Sequence, residues 1–588
     1  MKTAIDATRK AYPDTFLFDA GDFAMGSPYQ TIFSSEAAEL RIMGQLGFDA
    51  TTLGNHEFDY RTQGLTDMLT AALASGDTLP ALTIANIDWE ATLADADLKD
   101  DAEKLQTALG RYGNADYLII EKGGVRLAVF GLMGNNADRY APMSGLYFKD
   151  PIETAKAVVG RIQAESNADI IVCLSHSGTF ANPKESEDEL LAKAVPEIDV
   201  IISGHTHTTL EQPLVYGNTL VVSSGEYTYN LGHLTLTREG GRYQVTGYEL
   251  IPIRENLAKD AGVEESIVRF RSLVDEHYLS GFGYEFDQVL AYSPFGFTPI
   301  EQFGKVQGEE TLGNLIADSY VHAVQRAEGA DYREVAVAVV PYGVIRGSFA
   351  EGPITVADAY NVSSLGIGPD RVPGYPLVSI YLTGEELRTL AEVDISVSTL
   401  MKEARLYVSG LSYTYNPSRL ILNRVTDVQL MGPNGTLSEL DDSKLYRVIG
   451  GLYSCQMLGE VESRSFGLLK IVPKDAEGRP IVDFEEHIVY SNGVELKEWV
   501  ALADYLASFD RVNGTAQVPE YYNQLHQRKI EDTSKSLINL LKSPNKIFFI
   551  VLGAGVLVLA ILIFVPLFIV RKVRRARRRK KARLAAQG

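Results

Sequence analysis

The sequence has very little cysteine and no internal repeat. Only Cys173 and Cys455 occur in 588 residues, which argues against a disulfide framework and against a metal site built from thiolates. Two such isolated thiols are typical of small buried hydrophobic side chains.

Positive charge is scarce outside the C-terminal tail. The net charge is −21, but residues 571–588 hold ten Lys or Arg and no acid, so the chain before them carries −31. An acidic body repels nucleic-acid backbones, which argues against polymeric DNA or RNA as a partner. Small phosphate esters remain possible, because metal ions can capture an anion locally.

Long apolar runs are missing except at one place. Residues 547–570 form 24 residues without a charge, which as a helix would span about 36 Å against a hydrocarbon layer of about 30 Å. The basic block at 571–588 follows directly, and the positive-inside rule keeps such a block cytoplasmic. We therefore predict a single-pass cell-membrane protein, with an extracellular body, a spacer at 531–546 and a cytoplasmic tail.

Four short β-rich runs in the first 250 residues each end in a polar motif. This alternation predicts a layered α/β domain over residues 1–253. Ligands of such folds bind beyond the strand ends, so we expect the four motifs to converge. The runs and motifs are Thr15–Phe18 before DAGD, Ala50–Leu53 before GNHEFD, Asp169–Leu174 before SHSG, and Val200–Ser203 before GHTH.

The pattern changes near residue 253. A charged helical stretch, Val263–Tyr278, predicts a linker helix within residues 254–284. Residues 285–530 predict a second mixed α/β domain, with a strand at Val335–Val340 and a helix that begins at Gly384. Their length and the chain's 45% hydrophobic content are sufficient for a separate core.

The four motifs contain the side chains that hydrolysis of a phosphate ester requires. Paired metal ions can neutralise the phosphate oxygens and activate a water molecule. Imidazole together with carboxylate and amide oxygen suits Mn, Zn, Fe or Co better than Mg alone. A single histidine after a strand would be an ordinary hydrogen-bonded residue, but four motifs together predict a metal centre. The candidate ligands are Asp22, Asn55, His176, His205 and His207.

In order and spacing, these motifs resemble the calcineurin-like metallophosphoesterases, and within them the 5'-nucleotidase and UDP-sugar hydrolase branch. The resemblance covers residues 1 to about 530. It implies an α/β metallophosphoesterase domain, a β-sandwich flanked by helices, which is joined to a 5'-nucleotidase-type substrate domain. It also implies two divalent metal ions and a hydrolase that removes phosphate by attack of metal-bound water.

The resemblance implies a role for each motif residue. Asp22 looks like the carboxylate that bridges both metals, and His207 looks like a ligand of one of them. His56 and Asp59 resemble the catalytic pair, and Glu57 between them is expected to point away. The ligands that complete the other metal site with Asp22 would be Asn55, His176 and His205.

The beginning of the chain departs from the family pattern. The family opens with a strand that ends in Asp-x-His, whose side chains serve the same metal as His207, and no Asp-x-His precedes DAGD. The first 20 residues also contain no export signal. The expectation is a chain truncated at its N-terminus, with one complete metal site and one incomplete site.

The second domain matches the family less closely. Arg346 matches an arginine of an Asn-x-Gly-Gly-Ile-Arg motif, although Pro341 and Val344 replace the Asn and a Gly. Tyr453 and Arg405 fall where two aromatic rings clamp a base, and an arginine can stack through its planar guanidinium. The candidate substrate-binding residues are therefore Arg346, Tyr453 and Arg405, each of which could instead be structural.

Three functions remain open from the sequence. The first is extracellular hydrolysis of nucleotide phosphate esters, with nucleoside 5'-monophosphates, UDP-sugars and 2',3'-cyclic nucleotides as alternatives. The second is a catalytically impaired, surface-anchored binding protein on a phosphatase scaffold. The third is a phosphoesterase for a non-nucleotide ester. The fold and the metals are common to all of these substrates.

Overall fold

The computed structural model describes residues 1–240, 242–399, 402–458, 467 and 469–586. Contacts divide the chain into two compact units. The first unit comprises Met1–Leu290 and Pro353–Tyr375, and the second comprises Ala291–Gly352 and Pro376–Gly588. The chain therefore passes between the units three times.

Two segments belong to a different unit from the one expected. The helix predicted as a linker spans Ala261–His277 and belongs to the first unit, where it packs beside the helix Ala38–Leu46. Residues 353–375, which were expected in the second domain, also belong to the first unit. Their helix, Val356–Val362, contributes the buried Tyr360, whose ring packs edge-on against Tyr278 at 6.0 Å.

A six-stranded sheet forms the centre of the first unit. Its four central strands are parallel, and only the two edge strands are antiparallel to their neighbours. The central strands are almost wholly apolar, as strands covered on both faces must be. Their carboxyl ends therefore meet at one edge. Across the sheet the order is Leu118–Lys122, Val125–Met133, Ile170–His176, Val200–Ser203, Thr219–Val222 and Leu214–Tyr216.

A second β-layer covers one face of this sheet, and helices cover the other. The antiparallel hairpin Asn230–Glu239 and Arg242–Pro252 packs its Leu234 and Tyr248 against the sheet residues Val129 and Val172. The predicted layered fold with helices outside a β-sandwich is confirmed. The other elements of this unit are the strands Ala50–Thr51 and Ala81–Leu82, the α-helices Lys2–Ala11, Phe33–Glu36, Ala38–Leu46, Arg61–Ser75, Trp89–Ala94, Lys99–Tyr112, Asn135–Arg139, Pro151–Glu165 and Glu187–Ala194, and the 3-10 helices Pro28–Ile32, His56–Phe58 and Leu279–Phe282.

The second unit contains two four-stranded sheets. The first has the order Leu377–Thr383, Leu445–Gly451, Val337–Pro341, Leu406–Ser409, and the second Leu437–Glu439, Val425–Met431, Leu411–Tyr415, Lys529–Glu531. The predicted helix at Gly384 spans Gly384–Ser396, and a threonine capping box at Thr383 begins it. The remaining helices are Thr311–Glu328, Leu452–Gln456, Glu498–Ala507 and Leu537–Leu540, with 3-10 turns at Gly329–Asp331, Tyr342–Val344, Val397–Thr399, Lys402–Ala404, Glu485–His487 and Glu520–Asn523.

Short strands complete the described structure. The pairs Tyr490–Ser491 with Val494–Glu495 and Arg511–Val512 with Thr515–Ala516 form hairpins in the second unit. Strands Val289–Ser293 and Gly352–Thr355 contain two of the passages between the units. A last helix, Lys546–Ala585, contains the predicted span and is long and apolar enough to cross a membrane.

Candidate metal centre

The four polar motifs meet at the carboxyl edge of the central sheet. Asp22, His176 and His205 each place one ligand atom within 4.8 Å of the others. The Oδ1 atom of Asn55 lies 3.2 Å from Nε2 of His176 and 3.0 Å from Nδ1 of His205. Nε2 of His176 is also 3.0 Å from Oδ2 of Asp22. Four residues from four separate segments therefore surround one point.

Glycines let these segments approach one another. A Cβ atom on Gly54 would lie 2.2 Å from Oδ1 of Asp22 and 2.6 Å from Cε1 of His176. A Cβ atom on Gly204 would lie 2.7 Å from the carbonyl oxygen of Ala20. Neither Gly54 nor Gly204 has space for a side chain. Close packing thus requires glycine at these positions of GNHEFD and GHTH, which the sequence alone does not reveal.

Three of the predicted ligands have a left-handed backbone. The φ angles are 58° for Asp22, 66° for His205 and 55° for His207. Non-glycine residues in this region cost of order 1 kcal/mol or more, and they occur preferentially at functional sites, where the surrounding structure enforces them. Here the strained backbone orients one carboxylate and two imidazoles toward the carboxyl edge of the sheet.

Hydrogen bonds fix the orientation of both central imidazoles. The Nδ1–H group of His176 donates to the carbonyl of Ala20 at 2.7 Å, which leaves Nε2 facing Asp22 and Asn55. The Nε2–H group of His205 donates to Oδ1 of Asn136 at 2.8 Å, which leaves Nδ1 facing Asn55. Histidines that bind metals are oriented in this way.

Asn136 was missed by sequence reasoning. It lies in the helix Asn135–Arg139, directly after the strand Val125–Met133. A signal existed, since the polar residues Gly134 to Asn136 follow an apolar strand as the other four motifs do. Glu226 was also missed, although it too follows an apolar strand, Thr219–Val222.

The chemistry of this atom set fits a bound cation. Carboxylate oxygen, amide oxygen and neutral imidazole nitrogen are all hydrogen-bond acceptors, and acceptors crowd together only around a positive charge. Burial alone would raise the pKa of Asp22, but His176 and His56 hold this pKa well below its usual range. Despite burial, the Asp22 carboxylate raises the pKa of His176 to about 9, whereas burial and His176 lower the pKa of His205 to about 3. A metal ion would take the place of the proton that this set retains.

His56 and Asp59 form a hydrogen-bonded pair beside this set. Nδ1 of His56 lies 3.0 Å from Oδ2 of Asp59, and the backbone N–H of His56 donates to Oδ1 of Asp22 at 2.9 Å. Glu57 turns away, as expected, and is fully buried. Its carboxylate accepts from the backbone N–H groups of Asp22 at 2.9 Å and Ala24 at 3.0 Å, and so shapes the loop that presents Asp22.

His207 lies outside the central set. Among the described residues, its Nδ1 atom pairs with the carboxylate of Glu226, and its ring packs edge-on against Tyr227 with centroids 5.8 Å apart. A cavity of about 1380 Å³ inside the first unit reaches His207, His205 and Asp22. His207 and Glu226 are thus two further possible ligand side chains at the edge of this cavity.

The predicted substrate-binding residues lie in the second unit. Arg405 is buried, and its Nε–H and Nη1–H groups donate to Oε1 of Gln307 at 2.8 Å and to the carbonyl of Val306 at 3.1 Å. Arg346 and Tyr453 are half-buried, the latter in the helix Leu452–Gln456. No hydrogen bond among the described residues joins Arg405 to either of them.

An aromatic ring that the sequence did not single out lies close to Arg405. The backbone N–H of Tyr342 donates to the carbonyl of Arg405 at 2.7 Å. The half-buried Tyr342 ring stacks on Phe303 with centroids 6.0 Å apart and planes at 14°. Its hydroxyl accepts from Nζ of Lys402 at 2.7 Å.

Comparison with known proteins agrees with both units. The family sequence model of the calcineurin-like phosphoesterases matches residues 1–209, and the family sequence model of the 5'-nucleotidase C-terminal domain matches residues 294–460. The chain therefore belongs to the 5'-nucleotidase family of metallophosphoesterases and is a hydrolase.

Similar proteins include the trifunctional nucleotide phosphoesterase protein YfkN of Bacillus subtilis (strain 168), 28% identical over 467 residues. The alignment covers 76% of this chain but only 30% of YfkN. Protein 5NUC of Lutzomyia longipalpis is 27% identical over 485 residues, which cover 76% of this chain and 77% of that protein. Among solved structures, a 5'-nucleotidase precursor from Thermus thermophilus has the same fold, with a TM-score of 0.65, 24% identity, and coverage of 91% of this chain and 93% of that one.

Proposed function

We propose that this hydrolase removes phosphate from nucleotides at the centre formed by Asp22, Asn55, His176 and His205. The observation that carries the proposal is the convergence of four acceptor side chains on one point, beside the His56–Asp59 pair. Family membership supports the reaction class. The names of the relatives, nucleotide phosphoesterase and 5'-nucleotidase, support nucleotides as the substrate class.

Asp22, Asn55, His176 and His205 would hold one divalent ion. His207 would hold a second together with Asp22, and Glu226 is near enough to His207 to contribute. The donor types favour Mn, Zn, Fe or Co. Bound there, such ions would supply positive charge to the phosphate oxygens and acidify a water molecule.

His56 would hold and deliver the proton in this reaction. Because Nδ1 of His56 donates to Asp59, Nε2 is the nitrogen that would stabilise phosphoryl charge or protonate the leaving alcohol. Asp59 fixes the orientation of the ring. The backbone bond from His56 to Asp22 ties the position of this acid to that of the metal ligands.

The last helix supports an extracellular location for the reaction. The apolar residues of Lys546–Ala585 would cross the cell membrane, with the basic residues that follow on the cytoplasmic side and both units outside. Phosphate esters outside the cell would then be the accessible substrates.

A second candidate is a phosphate ester that lacks a base. The burial of Arg405 favours it, because the side chain is only 7% exposed and its bonds to Gln307 and Val306 hold it in place, which leaves little of the guanidinium face accessible to a base. The nucleotide proposal instead needs Tyr453 and Arg346, with Tyr342 as a further aromatic surface.

The test is a substrate panel with the purified full chain in detergent and added Mn²⁺. The panel holds AMP, UDP-glucose, a 2',3'-cyclic nucleotide and a sugar phosphate, and His56→Ala serves as the control for contaminating activity. Turnover of a nucleotide by the natural chain but not by His56→Ala would support the proposal. Turnover of the sugar phosphate alone would support the second candidate, and no turnover of any ester would refute both.

A further inference from the structure

The segment before the last helix is held against the second unit. The backbone N–H of Asp532 donates to the carbonyl of Tyr415 at 2.8 Å. Further along, Nδ2 of Asn416 donates to the carbonyl of Ser534 at 2.7 Å, and Arg419 donates to the carbonyl of Lys542. Residues 532–545, which we call the docked segment, lie within the predicted spacer and are hydrogen-bonded to the second unit.

The start of the helix is also fixed to this unit. Nδ2 of Asn545 donates to the carbonyl of Leu422 at 2.6 Å, while its Oδ1 caps the helix by accepting from the N–H of Phe548 at 3.1 Å. Ile547, the first apolar residue of the helix, is only 6% exposed and packs with the buried residues Val393 and Leu422. The helix therefore leaves the unit through a packed joint.

Large apolar side chains are exposed around this joint. Leu537, Ile538 and Leu541 of the docked segment are 76%, 83% and 54% exposed. Leu420 and Ile421, in the loop that bonds to the segment, are 39% and 38% exposed. Single exposed hydrophobic residues are ordinary, but five in two segments bonded to each other form an unusual patch. We call these five residues the apolar footprint.

We propose that the apolar footprint is inserted in the outer interfacial layer of the lipid bilayer, so that the second unit is seated directly on the membrane. The proposal depends on the proposed membrane span. Leu541 precedes Lys546, the first helical residue, by only five positions, and the joint at Asn545 and Ile547 leaves little freedom between them. A span that begins here brings the footprint to the lipid surface.

The chemistry of the footprint matches an interfacial layer. Transfer of a Leu or Ile side chain from water into an apolar environment is favourable. The exposed lysines Lys535 and Lys542 lie in the same segment, and long basic side chains of this kind are favoured at membrane interfaces, where the ammonium group stays in the polar layer. A short helix, Leu537–Leu540, presents part of the footprint, with the backbone N–H of Asn539 capped by Ser536.

The experiment places a fluorophore at the footprint. In the full chain, Ile538→Cys is labelled with an environment-sensitive dye, since the native Cys173 and Cys455 are buried. The protein is reconstituted into vesicles of phosphatidylcholine and phosphatidylglycerol, without a quencher, with a lipid that carries a quencher near its headgroup, or with a lipid that carries the quencher deep in its acyl chain. Val512→Cys, on a hairpin of the same unit and 50% exposed, is the matched control. Leu559→Cys reports on the span itself.

The expected result is a blue-shifted emission and strong lipid quenching for the label at 538, with neither for the label at 512. If the label at 559 is quenched and the one at 538 is not, the footprint is wrong while the span stands. If the label at 538 is instead shielded from aqueous iodide without lipid quenching, a protein covers it and the proposal is also wrong. If the label at 559 is not quenched, the span and the footprint both fail.

Discussion

Replacement of Asn136 by alanine tests the metal centre through a residue that is not itself an expected ligand. Oδ1 of Asn136 accepts from Nε2–H of His205 at 2.8 Å, so that Nδ1 of His205 keeps its lone pair toward Asn55. Without Asn136 the ring loses the partner that selects this tautomer. Asn136→Ala should therefore weaken metal binding and leave the ligand set intact.

The magnitude follows from the role of the lost bond. A neutral hydrogen bond alone is worth about 0.5 to 1.5 kcal/mol. Loss of a partner that orients a metal-binding histidine costs about 10- to 100-fold in affinity, or about 1.4 to 2.8 kcal/mol. Calorimetric titration of chelator-stripped protein with Mn²⁺ and with Zn²⁺ measures this directly. Activity should recover at saturating metal.

The neighbouring asparagine provides the control. Asn135 has an exposed side chain, and its backbone N–H donates to Glu187 at 2.9 Å much as that of Asn136 does at 3.0 Å. Asn135→Ala should leave metal affinity unchanged. Equal affinity for both variants and the natural chain would refute the argument, and an equal loss in both would assign the effect to the start of the helix.

Further predictions concern catalysis and folding. His56→Ala should retain metal by elemental analysis while turnover falls about 10²- to 10⁴-fold, whereas Asp22→Ala should lose the metal itself; equal metal loss would contradict the assigned roles. Burial raises the pKa of the Asp188 carboxyl group to about 6. The protonated group therefore stabilises the folded state below about pH 3.9, and about 3 kcal/mol of folding stability is lost as the pH rises through about 6. Thermal unfolding of metal-free Asp188→Asn should lack that decline relative to the natural chain, and parallel pH profiles would disprove it. Gly54→Ala should abolish metal binding, because its Cβ would lie 2.2 Å from Asp22, and unchanged binding would show that the loops can separate.

Sequence reasoning succeeded where the signal is local. The strand Val200–Ser203 and the strand that ends at His176 were predicted within a few residues, because apolar runs that end in polar motifs determine both the strand and its end. The strand at Thr15–Phe18 was overpredicted, since among those residues only Phe18 has a strand partner, Ala50. Pairing depends on a neighbour, which composition alone does not supply.

Arg405 shows why the substrate residues were harder to predict. A polar residue beside a strand looks available for a ligand, but here Gln307, almost a hundred positions earlier, accepts from its guanidinium. Asn136 shows the opposite case, in which an ordinary asparagine gains a role because a parallel strand brings it to His205. Both outcomes depend on contacts between distant segments, which periodicity and spacing do not encode.

The joint at the last helix is a further case of contacts between distant segments. Composition identifies the apolar helix, since its length and lack of charge are sufficient. The polar residues before it predict a spacer, and only the structure shows that Asn416, Arg419 and Asn423 bind that segment from more than one hundred positions away. If the helix spans the membrane, these bonds restrict the second unit to a small range of orientations on the bilayer. The apolar footprint is the feature that tests this restriction.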